Sequence, residues 1–176
     1  MKELILEAAR RLIATGTLPS QITLKALVDT GICTQKELLQ IFPDLQSFQL
    51  ELAMLFFADA REAVIRDTHG LVVGLQQISA AFLSYLDFNL NHPELQEIAH
   101  HIQYTRAGWD LLMRMEAGVA LIVQADLQAM GAHFRTARAQ LLTSMAVSVV
   151  RSEYQAKKKL PDLREAMLDY CKRSAL

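Results

Sequence analysis

The chain has 176 residues, a length typical of one or two compact domains. Hydrophobic residues make up 52% of it and charged residues 21%, a composition that excludes an intrinsically disordered protein. Seven glycines and four prolines are too few for the many turns of a β-sandwich or β-barrel, so helices are favoured. Eighteen basic and nineteen acidic side chains give a net charge of −1, which by itself indicates neither a nucleic acid nor a membrane as partner.

The cysteine content and the hydrophobic runs predict a cytoplasmic protein. The two cysteines, Cys33 and Cys171, lie far apart and form no metal-ligand or disulfide pattern, as is usual in a reducing compartment. Charged residues interrupt the apolar N-terminal stretch, so we expect no secretory signal. The longest uncharged run, residues 68–86, contains Gln, Ser and Gly and predicts a buried helix rather than a membrane span, so no membrane partner is expected.

Hydrophobic periodicity predicts an all-α fold with nine helices. Apolar residues recur every three to four positions along the chain, and no strand-like alternation is present. The first three helices are short and are predicted at residues 2–15, 23–30 and 34–42. Six more are predicted at residues 45–67, 71–91, 94–105, 108–130, 132–158 and 162–174. We expect an N-terminal three-helix module over residues 1–46 and a larger helical domain over residues 47–176.

The second and third helices carry clear start signals. Thr23 is placed to cap the second helix. The spacing of Thr34 and Glu37 predicts a capping box, in which each side chain satisfies the free backbone amide of the other residue. Because a turn of about three residues separates the two helices, they are predicted to form a helix-turn-helix, which presents its second helix to the DNA major groove.

The polar residues of this helix pair are the candidate DNA contacts. Gln hydrogen-bonds bidentately to adenine, and Lys reaches guanine or a phosphate. A hydroxyl and a free amide at a helix start suit a phosphate. The candidate DNA-binding residues are Thr23, Lys25, Thr34, Gln35, Lys36 and Gln40.

Residues 4–50 resemble the DNA-binding domain of the tetracycline-repressor-like (TetR) transcriptional regulators. The matching stretches are Ile5-Leu6-Glu7-Ala8-Ala9, Gly16, and an ungapped alignment from Thr23 to Phe42. The resemblance implies a homodimer that binds a near-palindromic DNA operator, commonly as a repressor. It also implies a helical C-terminal domain that binds a small apolar or amphipathic effector.

Four positions differ from the family pattern. Ile32 replaces the turn glycine, so either φ is negative there or the backbone differs. Cys33 replaces a buried Val, Leu39 a Tyr, and Leu45 a Lys that contacts the DNA backbone. Residues 1–46 also contain five basic and five acidic side chains, and neutral modules attract DNA weakly. An alternative function is therefore a TetR-fold binding module that has lost DNA binding and binds a small molecule or a protein.

Aromatic and polar residues after the N-terminal module are the candidate effector pocket. A small-molecule site is ordinarily apolar with a few polar groups. Trp109, Met113 and Glu116 share one helical face, although such a stripe is also typical of an ordinary core. The candidate pocket residues are Phe56, Phe82, Tyr85, Tyr104, Trp109, Met113 and Glu116.

The last two predicted helices are the candidate dimer interface. Small and apolar residues follow one side of each helix, and two helices from each subunit would make a four-helix bundle. Closure of the monomer core is the alternative role. The candidate interface residues are Leu141, Met145, Ser148, Leu163, Met167 and Tyr170.

No catalytic or metal site is predicted. His100 and His101 are adjacent and point about 100° apart on a helix, so they cannot chelate one ion together. The sequence contains no arrangement typical of nucleophilic or acid–base catalysis and no glycine-rich phosphate loop. We therefore expect no enzyme activity and no cofactor. The effector, the operator and the direction of regulation have no signature in the sequence.

Overall fold

A computed structural model describes residues 1–174, and over that range the chain is all-α, without strands. Nine α-helices are present in the described chain, as predicted, and a short 3-10 turn (Pro19–Gln21) precedes the second. The helices are α1 (Lys2–Ala14), α2 (Leu24–Asp29), α3 (Gln35–Ile41), α4 (Leu45–Thr68), α5 (Leu75–Asn91), α6 (Pro93–Ile102), α7 (Arg106–Ala129), α8 (Arg135–Ala156) and α9 (Pro161–Ser174). None of these helices is both long and apolar enough to cross a membrane.

The chain divides into two compact units that are not continuous in sequence. The first unit comprises residues 1–56 and 94–111, and the second comprises residues 57–93 and the described chain from Leu112 onward. The predicted boundary at residue 46 falls inside the first unit. Helix α6 and the first turns of α7 therefore belong with the N-terminal helices.

The first unit buries one apolar side of each of its helices. Ile5 and Ala9 of α1, Leu27 of α2 and Leu38 of α3 are buried. Its other large buried side chains include Phe42, Phe48, Leu52, Leu95, Ile98 and Ile102. The Phe42 and Phe48 rings pack edge to face with centroids 5.5 Å apart, an arrangement that aromatic pairs favour. Leu38 thus anchors the middle of α3, and Phe42 anchors its C-terminal end.

The second unit has a core built from α5, α7, α8 and α9. Helix α5 packs on α8 and α9, and α8 packs on α9. The buried core residues are Ile78, Phe82, Leu86, Val123, Leu127, Ala132, Ala139, Leu142, Ala146, Val149, Val150, Met167 and Cys171. Burial raises the pKa of the Cys171 thiol to about 11, so this cysteine is a core residue and a poor nucleophile.

A buried ion pair joins α8 to α9. Arg164 Nε lies 2.6 Å from Glu153 Oε1, and Arg164 Nη2 lies 2.7 Å from Glu153 Oε2. The Glu153 carboxylate also accepts the Leu160 N–H at 2.8 Å, and Arg164 contacts Asp87 of α5. The pair is bidentate, the strongest geometry for two such groups.

The prediction for the start of the fifth helix was wrong. Helix α5 begins at Leu75 rather than residue 71, because Gly74 has φ +145°, outside the helical region. Val72 lies in the preceding loop and is 80% exposed. Leu4 of α1 is also exposed.

Candidate nucleic-acid interface and other candidate sites

A five-residue segment, residues 30–34, joins α2 to α3. Its left-handed residue is Gly31, with φ +77°, a conformation that costs glycine little. Among the described residues other than glycine, only Phe134 and Lys157 have positive φ, so φ at Ile32 is negative. Of the two alternatives given for Ile32, a negative φ at this position is therefore the correct one. Cys33 is buried, as its substitution for a buried Val implies.

Both predicted helix caps are present. Thr23 Oγ1 accepts the Ala26 N–H at 3.1 Å, and Thr34 Oγ1 accepts the Glu37 N–H at 3.3 Å. The Glu37 carboxylate accepts the Thr34 N–H at 2.9 Å and its hydroxyl at 2.7 Å. These bonds to Thr34 lower the pKa of Glu37. The capping box confirms the prediction, and it engages the Thr34 hydroxyl within the chain.

All six candidate DNA-binding residues are exposed. Lys25 and Lys36 each occupy the second position of their helix, and in the described chain neither forms an ion pair. Other basic side chains of the first unit are partly neutralised, since Lys2 lies 2.7 Å from Glu51 and Arg11 lies 3.7 Å from its Glu partner one turn earlier. Among the lysines of the first unit, the two without a described ion pair are therefore those at the starts of α2 and α3.

Two features of the same unit oppose DNA binding. Leu39 is exposed on α3 between Leu38, which is buried, and Gln40. The first unit also contains six basic and nine acidic side chains. An excess of acidic groups repels phosphates unless the basic groups lie where the DNA binds.

Glu97 of α6 is a residue that sequence reasoning missed. Its carboxylate accepts the Ser20 N–H at 3.1 Å and the Ser20 hydroxyl. Ser20 belongs to the 3-10 turn that leads into Thr23, the cap of α2. The two residues are 77 positions apart, and no local pattern marks their contact. Helix α6 is thus hydrogen-bonded to the segment that positions α2.

The candidate pocket residues are distributed over both units. Phe56, Tyr104 and Trp109 belong to the first unit and the other four to the second. Tyr104 is 76% exposed, Trp109 and Met113 are also exposed, and Phe82 lies in the second core. A cavity of about 490 Å³ in the second unit is lined by other residues, among them Leu83, Lys159 and Arg164.

Tyr85 and Glu116 are the pocket candidates that the structure brings together. Both are half-buried in the second unit. Burial, and then the negative charge of Glu116, raise the pKa of Tyr85 to about 12. The Asn89 side chain and the charge of Arg151 also act on Tyr85 and oppose this rise in its pKa. A phenol and a carboxylate close together can orient a ligand by hydrogen bonds.

The candidate interface residues divide between surface and core. Leu141, Ser148 and Leu163 are exposed on α8 and α9. Met167 is buried, and Met145 and Tyr170 pack against the same core, so these three contribute to the core of their own chain.

The histidines of α6 are surface residues. The His100 Nδ1 atom lies 2.6 Å from Gln103 Nε2, and its ring packs edge to face on Tyr104. Within residues 1–174, no group of three or more His, Cys, Asp or Glu side chains is placed to hold a metal ion.

Comparison with characterised proteins identifies no relative: no known family model matches the chain, and no curated protein matches its sequence. The function is therefore inferred from the geometry of each unit and from the residues on its surface.

Proposed function

We propose that the protein is a TetR-like transcriptional regulator, acting in the cytoplasm, in which α2 and α3 form a DNA-binding helix-turn-helix. The observation that carries the proposal is the presentation of α3. Its buried Leu38 and its capping box fix the helix, while Gln35, Lys36 and Gln40 remain exposed. A short, rigid helix with an outward polar side is what base recognition in the major groove requires.

The contacts follow from the chemistry of the exposed groups. Gln35 and Gln40 suit adenine, and Lys36 suits guanine O6 and N7. Lys25 lies in the first turn of α2, where its charge and the free backbone amides attract a phosphate. Because these two lysines have no partner among the described residues, DNA binding breaks no ion pair of theirs there.

A homodimer with a near-palindromic operator completes the proposal. Leu141, Ser148 and Leu163 offer a surface on α8 and α9 for the second subunit. Two recognition helices related by a twofold axis read half-sites about 34 Å apart. Repression is the commoner mode in the family that the N-terminal region resembles.

The proposed effector is a small apolar or amphipathic molecule held in the second unit near Tyr85 and Glu116. The effector acts by binding more tightly to the conformation with one spacing of the two recognition helices than to the conformation with another spacing. The hydrogen bonds between Glu97 and Ser20 attach α6 to the turn before α2. A movement of α6 would therefore be transmitted through these bonds to α2 and α3. Glu97→Ala is expected to reduce the effect of the ligand on DNA affinity.

A binding module without DNA affinity is the second candidate function. It is favoured by the acidic excess of the first unit and by exposed Leu39. In this case the exposed side of α3 binds a protein or has no partner, and ligand binding in the second unit is retained.

Fluorescence anisotropy with DNA from upstream of the gene, measured at several salt concentrations, tests the proposal. Lys25→Ala, which removes a phosphate contact, should weaken binding and lower the salt slope by about 1, whereas Lys36→Ala, which removes a base contact, should weaken binding and reduce the preference for the operator over random DNA. The matched control is Lys158→Ala, an exposed lysine in the turn after α8, which should leave binding unchanged. If the protein binds this DNA and other promoters no better than random DNA at low salt, the regulator is refuted and the module is supported.

A further inference from the structure

The C-terminal half of α7 exposes an uncharged surface that no described residue covers. Leu121 is 65% and Ile122 is 61% exposed, and exposed apolar side chains that form one continuous patch mark an interaction surface. Three small residues on the same side are also exposed, and we call the five together the α7 face: Ala117, Gly118, Leu121, Ile122 and Ala125. Their spacings of three and four residues place them on one side of the helix, opposite Val123 in the core.

Two charged side chains without partners flank the α7 face. Arg114 is exposed one turn before Gly118, and Asp126 is half-buried beside Ala125. Within residues 1–174, neither forms an ion pair or a side-chain hydrogen bond. Burial raises the pKa of Asp126, as expected for a carboxylate without a cation. Twelve residues of helix, about 18 Å, separate the two groups, so they cannot meet within one chain.

We propose that the α7 face is a self-association surface, occupied by the α7 face of a second copy running antiparallel. If the helices cross near Ala120, the twofold axis places Ile122 opposite Gly118 and Arg114 opposite Asp126, each contact occurring twice. Gly118 has room for the incoming side chain, since apart from its chain neighbours and its own helix backbone no described atom lies within 4 Å of the position a Cβ would take. The surface lies on a different helix from the dimer proposed on α8 and α9, so it joins two such dimers.

The match of the surface to itself identifies the occupant. A single helix presents a large residue, a glycine to receive it, and one charge of each sign at opposite ends. An antiparallel copy provides a partner for the large residue, for the glycine and for both charges. A partner with one dominant charge would instead leave Arg114 or Asp126 unpaired. One helix face buries less than the roughly 800 Å² per partner of a standard interface. We therefore expect a concentration-dependent association weaker than that on α8 and α9.

A charge exchange tests the pairing by sedimentation velocity over a range of concentrations. Arg114→Asp and Asp126→Arg should each weaken the association at least about tenfold, because each places like charges together. The double variant should restore it to within a few-fold, since the charges are then opposite again. The association can be restored in this way only if residue 114 of one copy meets residue 126 of the other. A double variant that folds but stays dissociated overturns the proposal.

A second pair of variants covers the possibility that Asp126→Arg does not fold. Ile122→Ser should abolish the association, whereas the matched control Ile65→Ser, an exposed isoleucine of α4, should not. Leu141→Lys should remove the α8–α9 dimer and leave the α7 pair. Equal masses for wild type and Ile122→Ser at every concentration overturn the α7 contact without bearing on DNA binding, which the anisotropy assay measures separately.

Discussion

Removal of the Arg164 side chain should destabilise the fold strongly, because it leaves the Glu153 carboxylate buried and unpaired. Side-chain exposure is 3% for Arg164 and 2% for Glu153. The two charge-assisted bonds between them, at 2.6 and 2.7 Å, are therefore shielded from solvent. Loss of one partner of such a pair costs about 3–5 kcal/mol. Arg164→Met, which keeps most of the volume, should lower the free energy of unfolding by about this amount at pH 7.

Urea denaturation followed by circular dichroism measures the effect. The double variant Glu153→Met/Arg164→Met should lose less stability than Arg164→Met alone, because no buried charge remains. The control is Lys159→Met, which removes an exposed cation 3.5 Å from Asp87 and should cost less than about 1 kcal/mol.

The pH dependence gives an independent check. Burial alone would raise the pKa of Glu153, but the hydrogen bonds from Arg164 and Leu160 outweigh it and lower that pKa below its usual 4.5. The stabilisation by the pair is therefore present above pH 4.5 and is lost as the pH falls through the lowered pKa of the folded state. In Arg164→Met the hydrogen bond from Leu160 remains, but the bonds and the charge of Arg164 are lost. We expect burial then to outweigh the remaining bond and raise the pKa of Glu153, so that stability falls as the pH rises through 4.5 toward that raised pKa. The difference between the two proteins should therefore grow between pH 4 and 7. A cost below about 1 kcal/mol, or one independent of pH, would refute the reasoning.

Four further predictions concern single positions. Gly108→Ala should lower the melting temperature sharply, because a Cβ there would lie 2.1 Å from the Ile102 carbonyl oxygen. Gly118→Ala, at an exposed position inside a helix, should stabilise the monomer by up to about 1 kcal/mol. Phe134 is exposed and has φ +53°, a left-handed conformation that is strained for phenylalanine and easier for asparagine. Phe134→Asn should therefore raise the free energy of unfolding, measured in urea titrations, by about 1 kcal/mol. A decrease in that free energy would contradict this account. Cys171 should react with a thiol reagent at pH 8 only after denaturant is added, since it is buried and its pKa is about 11; rapid labelling of the native protein would disprove it.

Local patterns in the sequence were sufficient to predict the all-α fold and the caps of α2 and α3. Hydrophobic periodicity is a property of neighbouring residues, and so is the pairing of Thr34 with Glu37 three positions later. These features therefore appear in the sequence before any tertiary contact is known. The start of α5 was mispredicted because Val72 fits the helical period, while Gly74 with positive φ ends that continuity.

Contacts between distant residues were decided only by the tertiary structure. Glu97 and Ser20, or Arg164 and Glu153, read in sequence as charged and polar surface residues, since nothing local shows which segments pack together. The same holds for the membership of residues 94–111 in the first unit and for the exposure of Tyr104 and Leu121. Periodicity identifies an apolar side of a helix, whereas burial depends on whether another helix covers that side. Local sequence thus determined the helices of this protein, and packing decided which of their faces remain available to bind a partner.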